Sequence, residues 1–315
     1  MKTLEEAASK VVSECMGLKP EEKLLVVYDD NKREIAIAIF EEAFKISNYC
    51  NKYKVPAGQV NGEEPPAEAA AYMKNCDVCV IVTTVSHSHT KARRDASEKG
   101  VRIASMPGVT EDMLTRTMDV DYQEVKEFSM KLKEKLDCGK KVRVTTEKGT
   151  DINMGIDGRE AMKPGGILHD AGDFGNLPEG EACIAPVEGT AEGTFVIDGS
   201  ILSSKVDEDI KVHVKGGHAV SIEGGKSAEE LKNALERAGN DAYNIAELGI
   251  GTNKAAKITG STLEDEKVYG TAHIAFGNNK SFGGNVDAPI HLDGVFHEPT
   301  IYVDDKMIME KGHIV

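Results

Sequence analysis

Glu247, His273, His291 and Asp293 are spread over fewer than fifty positions, and each has a side chain able to bind a divalent metal or move a proton. In His291-Leu292-Asp293, an extended strand turns the imidazole and the carboxylate to one face and Leu292 to the other, so both can reach one ion. In the segment TAHIAF, His273 shares a face with Thr271 and Ala275, which are small enough to leave space beside the ring. Taken singly, each histidine is better explained by a hydrogen bond to a backbone carbonyl, the commoner role. Glu247 lies among Ile245, Ala246, Leu248 and Ile250, so its carboxylate is expected away from bulk water. Desolvating a lone carboxylate costs several kcal/mol, so a charged partner should stand nearby. Glu181, in NLPEGEACIAP, reads on spacing alone as a solvated loop acid.

The elements that must position these groups change character along the chain. Residues 1–139 read as an α/β domain: helix 3–17, strand 23–30, helix 35–47, strand 51–57, helix 64–75, strand 77–85, helix 89–100 and strand 101–108. Short, continuous, β-branched strands alternating with helices imply a doubly wound α/β layer with a parallel sheet. A long amphipathic helix over 121–139 ends at Gly139. Residues 140–315 read as a strand-rich α+β metal-binding domain, with hairpin turns at Lys148-Gly149 and Gly216-Gly217. One helix in this half is expected to open on a capping box at Ser227–Glu230 and to close at Gly239.

Composition narrows the classes. The formal net charge of −15 disfavours nucleic acid, whose phosphates require clustered Lys and Arg. It suits a divalent metal or a cationic ligand, although solubility explains it as well. No apolar run approaches the ~18–20 residues of a membrane span, and the N-terminal segment lacks the apolar core of a signal peptide. The six scattered cysteines read as reduced thiols, so a cytoplasmic location is expected. Cys76-x-x-Cys79 falls at the start of an apolar strand, which would point the two thiols to opposite faces and make them structural.

The blocks NLPEGEACIAPVEGTAEGT, AELGIGTN, LEDEKVYGTAHIAFGNN, FGGN and IHLDGV, in that order, resemble the aminopeptidase T family of metallopeptidases. The segment TTVSHSHTKARRDASEKGVRIASMPGVTEDML is also similar to that family. The resemblance implies a homodimeric metallo-aminopeptidase acting on short peptides. It implies one or two Zn, Co or Mn ions held by Glu181, Glu247, His273, His291 and Asp293. Glu266 joins that set if a two-residue insertion is allowed. The family's catalytic tyrosine position holds Lys280 here, with Tyr269 and Tyr302 as unaligned substitutes. His273, His291 and Asp293 also look like the two-His, one-Asp iron site of the related 2,5-dihydroxypyridine dioxygenases, and such a trio suits non-haem Fe(II).

Hydrolysis is therefore the leading expectation, with Glu247 bridging the ions or taking the proton of a metal-activated water. The alternatives are a mononuclear Fe(II) ring-cleaving dioxygenase, or a small-ligand-binding protein that its metal merely stabilises. His87 and His89 follow a strand at the sheet's carboxyl edge, where open α/β folds bind ligands, though the neighbouring Ser and Thr fit a turn and cap equally. His169, His297 and His313 read as surface or strand-end residues, and GIGTN is too incomplete for a dinucleotide loop.

Overall fold

The segments Leu24–Tyr28, Cys50–Lys54, Val78–Val82 and Arg102–Ser105 form parallel strands in the computed structural model, which describes residues 2–315. Across the sheet they run in the order Cys50–Lys54, Leu24–Tyr28, Val78–Val82, Arg102–Ser105, and then Phe174–Asn176. Every pairing is parallel. The chain begins one strand in from an edge, moves outward, then crosses back, which is the strand order of a doubly wound sheet. Val78–Val82 is buried at every position, as a strand covered on both faces must be. The edge strand Phe174–Asn176 carries no apolar run, and only its pairing with Ile103–Ser105 makes it a strand. The expected N-terminal helix is an α-helix, Leu4–Lys10, opened by a Thr3–Glu6 capping box and followed by a π-helical turn, Val11–Cys15.

Two expectations fail for identifiable reasons. Cys76 precedes the strand Val78–Val82, so the two thiols do not diverge. Their side chains hydrogen-bond, and that bond together with burial pushes the Cys79 thiol pKa up. The capping box at Ser227–Glu230 does not form, because the helix Lys226–Ala238 has Gly225 at its N-cap with no side-chain cap. The Asp207 carboxylate serves instead, accepting from the Lys226 and Ser227 amides at 2.8 Å each. A carboxylate beside a helix N-terminus satisfies otherwise orphan N–H groups, whichever segment supplies it.

By its contacts the chain forms two units, one comprising the chain up to Lys126 with Gly165–Glu179, the other Glu127–Pro164 with Gly180–Val315. The second unit holds two sheets. One has eight strands in the order His218–Glu223, Ile210–Lys215, Glu192–Ile197, Asp151–Gly155, Lys141–Thr145, Thr300–Val303, Lys306–Glu310 and His313–Ile314. The other is antiparallel, ordered Ser204–Lys205, Ser200–Ile201, His291–His297, Thr271–Gly277, Ile245–Gly251 and Glu181–Ile184.

The hydrophobic core of this unit takes Val142, Val144, Ile152 and Phe195 from the first sheet and Leu248, Ile250, Ile274, Phe276 and Phe296 from the second. Burying each large apolar side chain stabilises the fold by ~1.5–3 kcal/mol. The six-stranded sheet is thus held through one face, and period-two alternation leaves the other face to its polar residues. Among the described residues no helix is long and apolar enough to cross a membrane.

Candidate metal centre

Alternation along four adjacent strands brings the predicted ligands together. On Ile245–Gly251, Leu248 and Ile250 go to the core, so Glu247, Gly249 and Gly251 share the opposite face. On the next strand His273 and Ala275 alternate with the core residues Ala272, Ile274 and Phe276. Beyond it His291 and Asp293 alternate with Leu292, which packs against the core. Register completes the arrangement: Glu247 lies opposite Ala275 and Ala275 opposite Asp293, while His273 lies opposite Gly249 and Gly249 opposite Cys183. A register irregularity between Ile245 and Glu247 falls beside the site, where bulges commonly re-aim a side chain.

Small residues make the space. An alanine Cβ at position 249 would sit 2.1 Å from Cε1 and Nε2 of His273, so the ring lies directly over Gly249. Ala275 separates the Glu247 and Asp293 carboxylates in the same way.

Glu247 is central and 2% exposed. Its Oε1 is 3.4 Å from His273 Nε2 and its Oε2 is 3.1 Å from His291 Nε2. His291 Nε2 is also 3.2 Å from Asp293 Oδ1, and His273 Nε2 is 3.6 Å from Glu181 Oε2. The donor atoms form two groups, Glu181–Glu247–His273 and Glu247–His291–Asp293, each within 4.8 Å. His291 Nδ1 lies 2.7 Å from the Asn278 carbonyl, to which it donates. That bond leaves Nε2 facing two carboxylate oxygens, which accept and cannot donate when ionised. Something positive must lie between them, either a proton or a metal ion.

The electrostatics point the same way. Burial alone would raise the pKa of Glu247, but hydrogen bonds from both imidazoles, and their charges, hold it well below the usual carboxylate range. Burial also opposes ionisation of Asp293, and His291 lowers it nonetheless. His273 is buried, which disfavours its charge, yet the Glu247 hydrogen bond and the surrounding carboxylates push it up to about 9. His291 is raised too, against its burial, by Asp293 and Glu247. Without a metal the cluster gathers protons onto its imidazoles.

The donor set fits a divalent ion. Bonds of ~2.1 Å at right angles separate neighbouring ligand atoms by ~3 Å, close to the spacing around His291 Nε2. The Nδ1–H to carbonyl bond is the outer contact that fixes the tautomer of a ligating histidine. Glu181 Oε2 is buried with no hydrogen-bond partner. Phe282 stacks on the His291 ring with centroids 4.9 Å apart, and the His291 side chain is 24% exposed.

Other candidates lie elsewhere. Glu266 stands outside both groups, 2.7 Å from Lys267 Nζ, and burial with the Glu181 and Asp293 charges pushes it up to about 8. Lys280 pairs with Asp287 at the surface. In the first unit, His87 Nδ1 contacts the Glu63 carbonyl and its buried Nε2 has no partner, while His169 contacts the Glu14 carbonyl. His297 pairs with Asp198. Sequence reasoning missed Gly249, Lys267, Asn278 and Phe282. Nothing within GIGTN marks Gly249 as the residue beneath a ring, and Lys267 directly follows three acids in the sequence.

A family model described as NicX, 2,5-dihydroxypyridine 5,6-dioxygenase, matches residues 3–315. The chain belongs to that family. A 2,5-dihydroxypyridine 5,6-dioxygenase of Pseudomonas putida is 27% identical over 253 residues, 75% of this chain and 71% of the relative. The solved 2,5-dihydroxypyridine dioxygenase of Pseudomonas putida KT2440 superposes with a TM-score of 0.87 at 20% identity, covering 99% of this chain and 96% of that one. AmpT from Thermus thermophilus superposes with a TM-score of 0.71 at 16% identity, covering 99% and 98%.

These findings correct the hydrolase expectation. The likeness to aminopeptidase T holds for the scaffold, whereas the family is that of a ring-cleaving oxidoreductase and not of a hydrolase, aminopeptidase or metalloprotease. The departure at Lys280 fits the correction. Family membership implies a divalent metal, to which the clustered carboxylates and imidazoles are suited.

Proposed function

We propose that this chain opens the ring of a dihydroxylated pyridine between adjacent carbons, with both atoms of dioxygen entering the product, at a single Fe(II) ion. Family membership over nearly the whole chain supports the reaction class. The observation that carries the site is His291, held through Nδ1 by the Asn278 carbonyl, with Nε2 flanked by the Glu247 and Asp293 carboxylates. His273, His291 and Asp293 would hold the ion, with Glu247 against it from the buried side. Two imidazoles and a carboxylate with open positions suit Fe(II). Bound there, iron supplies the redox and Lewis-acid chemistry that brings dioxygen and an aromatic diol together.

The chain's own groups do the rest. Gly249 leaves room for the His273 ring, and Asn278 fixes the His291 tautomer. Asp293 and Glu247, held ionised, would balance the charge of the ion and accept a hydrogen bond from a substrate hydroxyl. Phe282, stacked on His291, presents an apolar face that suits a flat heteroaromatic ring and displaces water. Homodimerisation belongs to the same reading and is read out by sedimentation velocity. A reducing cytoplasm suits the six free thiols.

The test is oxygen uptake by anaerobically purified protein reconstituted with Fe(II) and offered 2,5-dihydroxypyridine under isotopically labelled dioxygen. One dioxygen consumed per ring opened, with both labels in the product, is expected. Bound iron without oxygen uptake, or equal activity with Zn(II), would reject the reading.

A further inference from the structure

The two donor groups of the centre share Glu247, so their geometry alone offers places for two cations. One charged residue makes them unequal. Lys267 is 2% exposed, with Nζ 2.5 Å from Glu181 Oε1 and 2.7 Å from Glu266 Oε1. A buried ammonium is tolerated only where carboxylates surround it. Its position is also set firmly by the backbone. The Lys267 N–H donates to the Glu264 carbonyl, and the Asp265 carboxylate accepts from Thr259 and Gly260 N–H at 2.7 and 2.9 Å. The ion-pair contacts of Glu247 and Asp293, in contrast, are with the two histidines.

We propose that Lys267 is a resident cation that fills the Glu181 side of the cluster and thereby limits the centre to one divalent ion. That ion would be held by His291, Asp293 and His273, with Glu247 against it from the buried side. The ammonium offsets the Glu181 charge and repels a second dication from the Glu181–Glu247–His273 group. Lys267 is a positioning residue: it sets how many ions bind and where, and does not touch substrate. The inference rests on the metal reading above, and its test reads ion count rather than turnover.

Mn(II) is titrated into metal-free protein by equilibrium dialysis, with electron paramagnetic resonance to separate isolated from exchange-coupled ions. The native chain and K267R, which keeps the charge, should each bind one ion. Folded K267M should bind two, with a coupled signal, and E181Q added to K267M should return the count to one. Independently of K267M folding, E181Q in the native background should weaken the ion less than threefold and D293N more than thirtyfold. Two ions in the native chain, one ion in folded K267M, or an E181Q loss equal to that of D293N would each overturn the proposal. A native chain that binds none overturns the proposal and the metal reading together. One bound ion without ring opening removes only the proposed reaction and leaves the role of Lys267 standing.

Discussion

Gly249→Ala is the most selective perturbation the structure offers. The added Cβ would meet Cε1 and Nε2 of His273 at 2.1 Å and Nδ1 at 2.9 Å, where ordinary contact begins at 3.4 Å. The ring must therefore retreat by about 1.3 Å, against a ligand-distance tolerance of ~0.2 Å. Losing an outer-shell contact typically costs ~10–100-fold in metal affinity, so displacing a ligand itself should cost on the order of 100-fold or more, about 2.7 kcal/mol. The fold should survive. Gly249 lies in a strand between core residues, and overpacking of this kind costs ~1–3 kcal/mol, less than the whole stability of a domain. The assay is competition against a fluorescent chelator, paired with thermal unfolding of the metal-free variant to show that it is folded. A folded Gly249→Ala protein that holds metal within threefold of the parent would show that His273 is not held against an ion.

Other expectations follow from the same geometry. His291→Ala should abolish metal retention while His313→Ala, on a short edge strand, leaves it intact; equal metal contents by elemental analysis would contradict the site. Metal-free protein should lose stability as pH rises from ~6.5 to 9. The contribution of His273 is fully present below its unfolded value of ~6.5 and is lost as pH passes its folded value of about 9. Glu266, raised to about 8, acts in the same direction because the folded state keeps a proton that the unfolded chain releases above ~4.3. A melting temperature that is flat or rising over that interval in chelator would refute this, and metal should abolish the fall. Glu188→Ala should loosen the loop that carries Phe282, since Glu188 accepts from Asn279 Nδ2 at 2.9 Å and Asn285 N–H at 2.8 Å and pairs with Arg159. Faster amide exchange over 279–285 and several-fold weaker substrate binding are expected at unchanged metal content; no change in exchange would sink the idea.

The parallel sheet was legible because its strands Leu24–Tyr28 and Val78–Val82 are continuous apolar runs, the signature of burial on both faces. Phe174–Asn176 was not, because pairing rather than composition makes it a strand. In the second unit, period-two reasoning correctly put His291 with Asp293, and the apolar neighbours of Glu247 correctly implied a buried carboxylate in need of charged partners. What stayed hidden was everything that depends on cross-strand register. Gly249 matters only because it lies opposite His273, and Asp207 caps a helix that begins nineteen positions later. Lys267 shows the limit most clearly, since it follows three acids in sequence yet is buried between Glu266 and the distant Glu181. The choice between hydrolysis and oxygenation was open for a related reason: carboxylates and imidazoles around a metal can serve either chemistry, and the family comparison separated them.

Anomalous X-ray scattering at the iron edge, from crystals grown anaerobically with Fe(II), tests the central claim most directly. The account predicts one peak per chain, ~2.1 Å from His291 Nε2 and in contact with Asp293 and His273. Two peaks, or a single peak bounded by Glu181 and Glu266 instead, would contradict it.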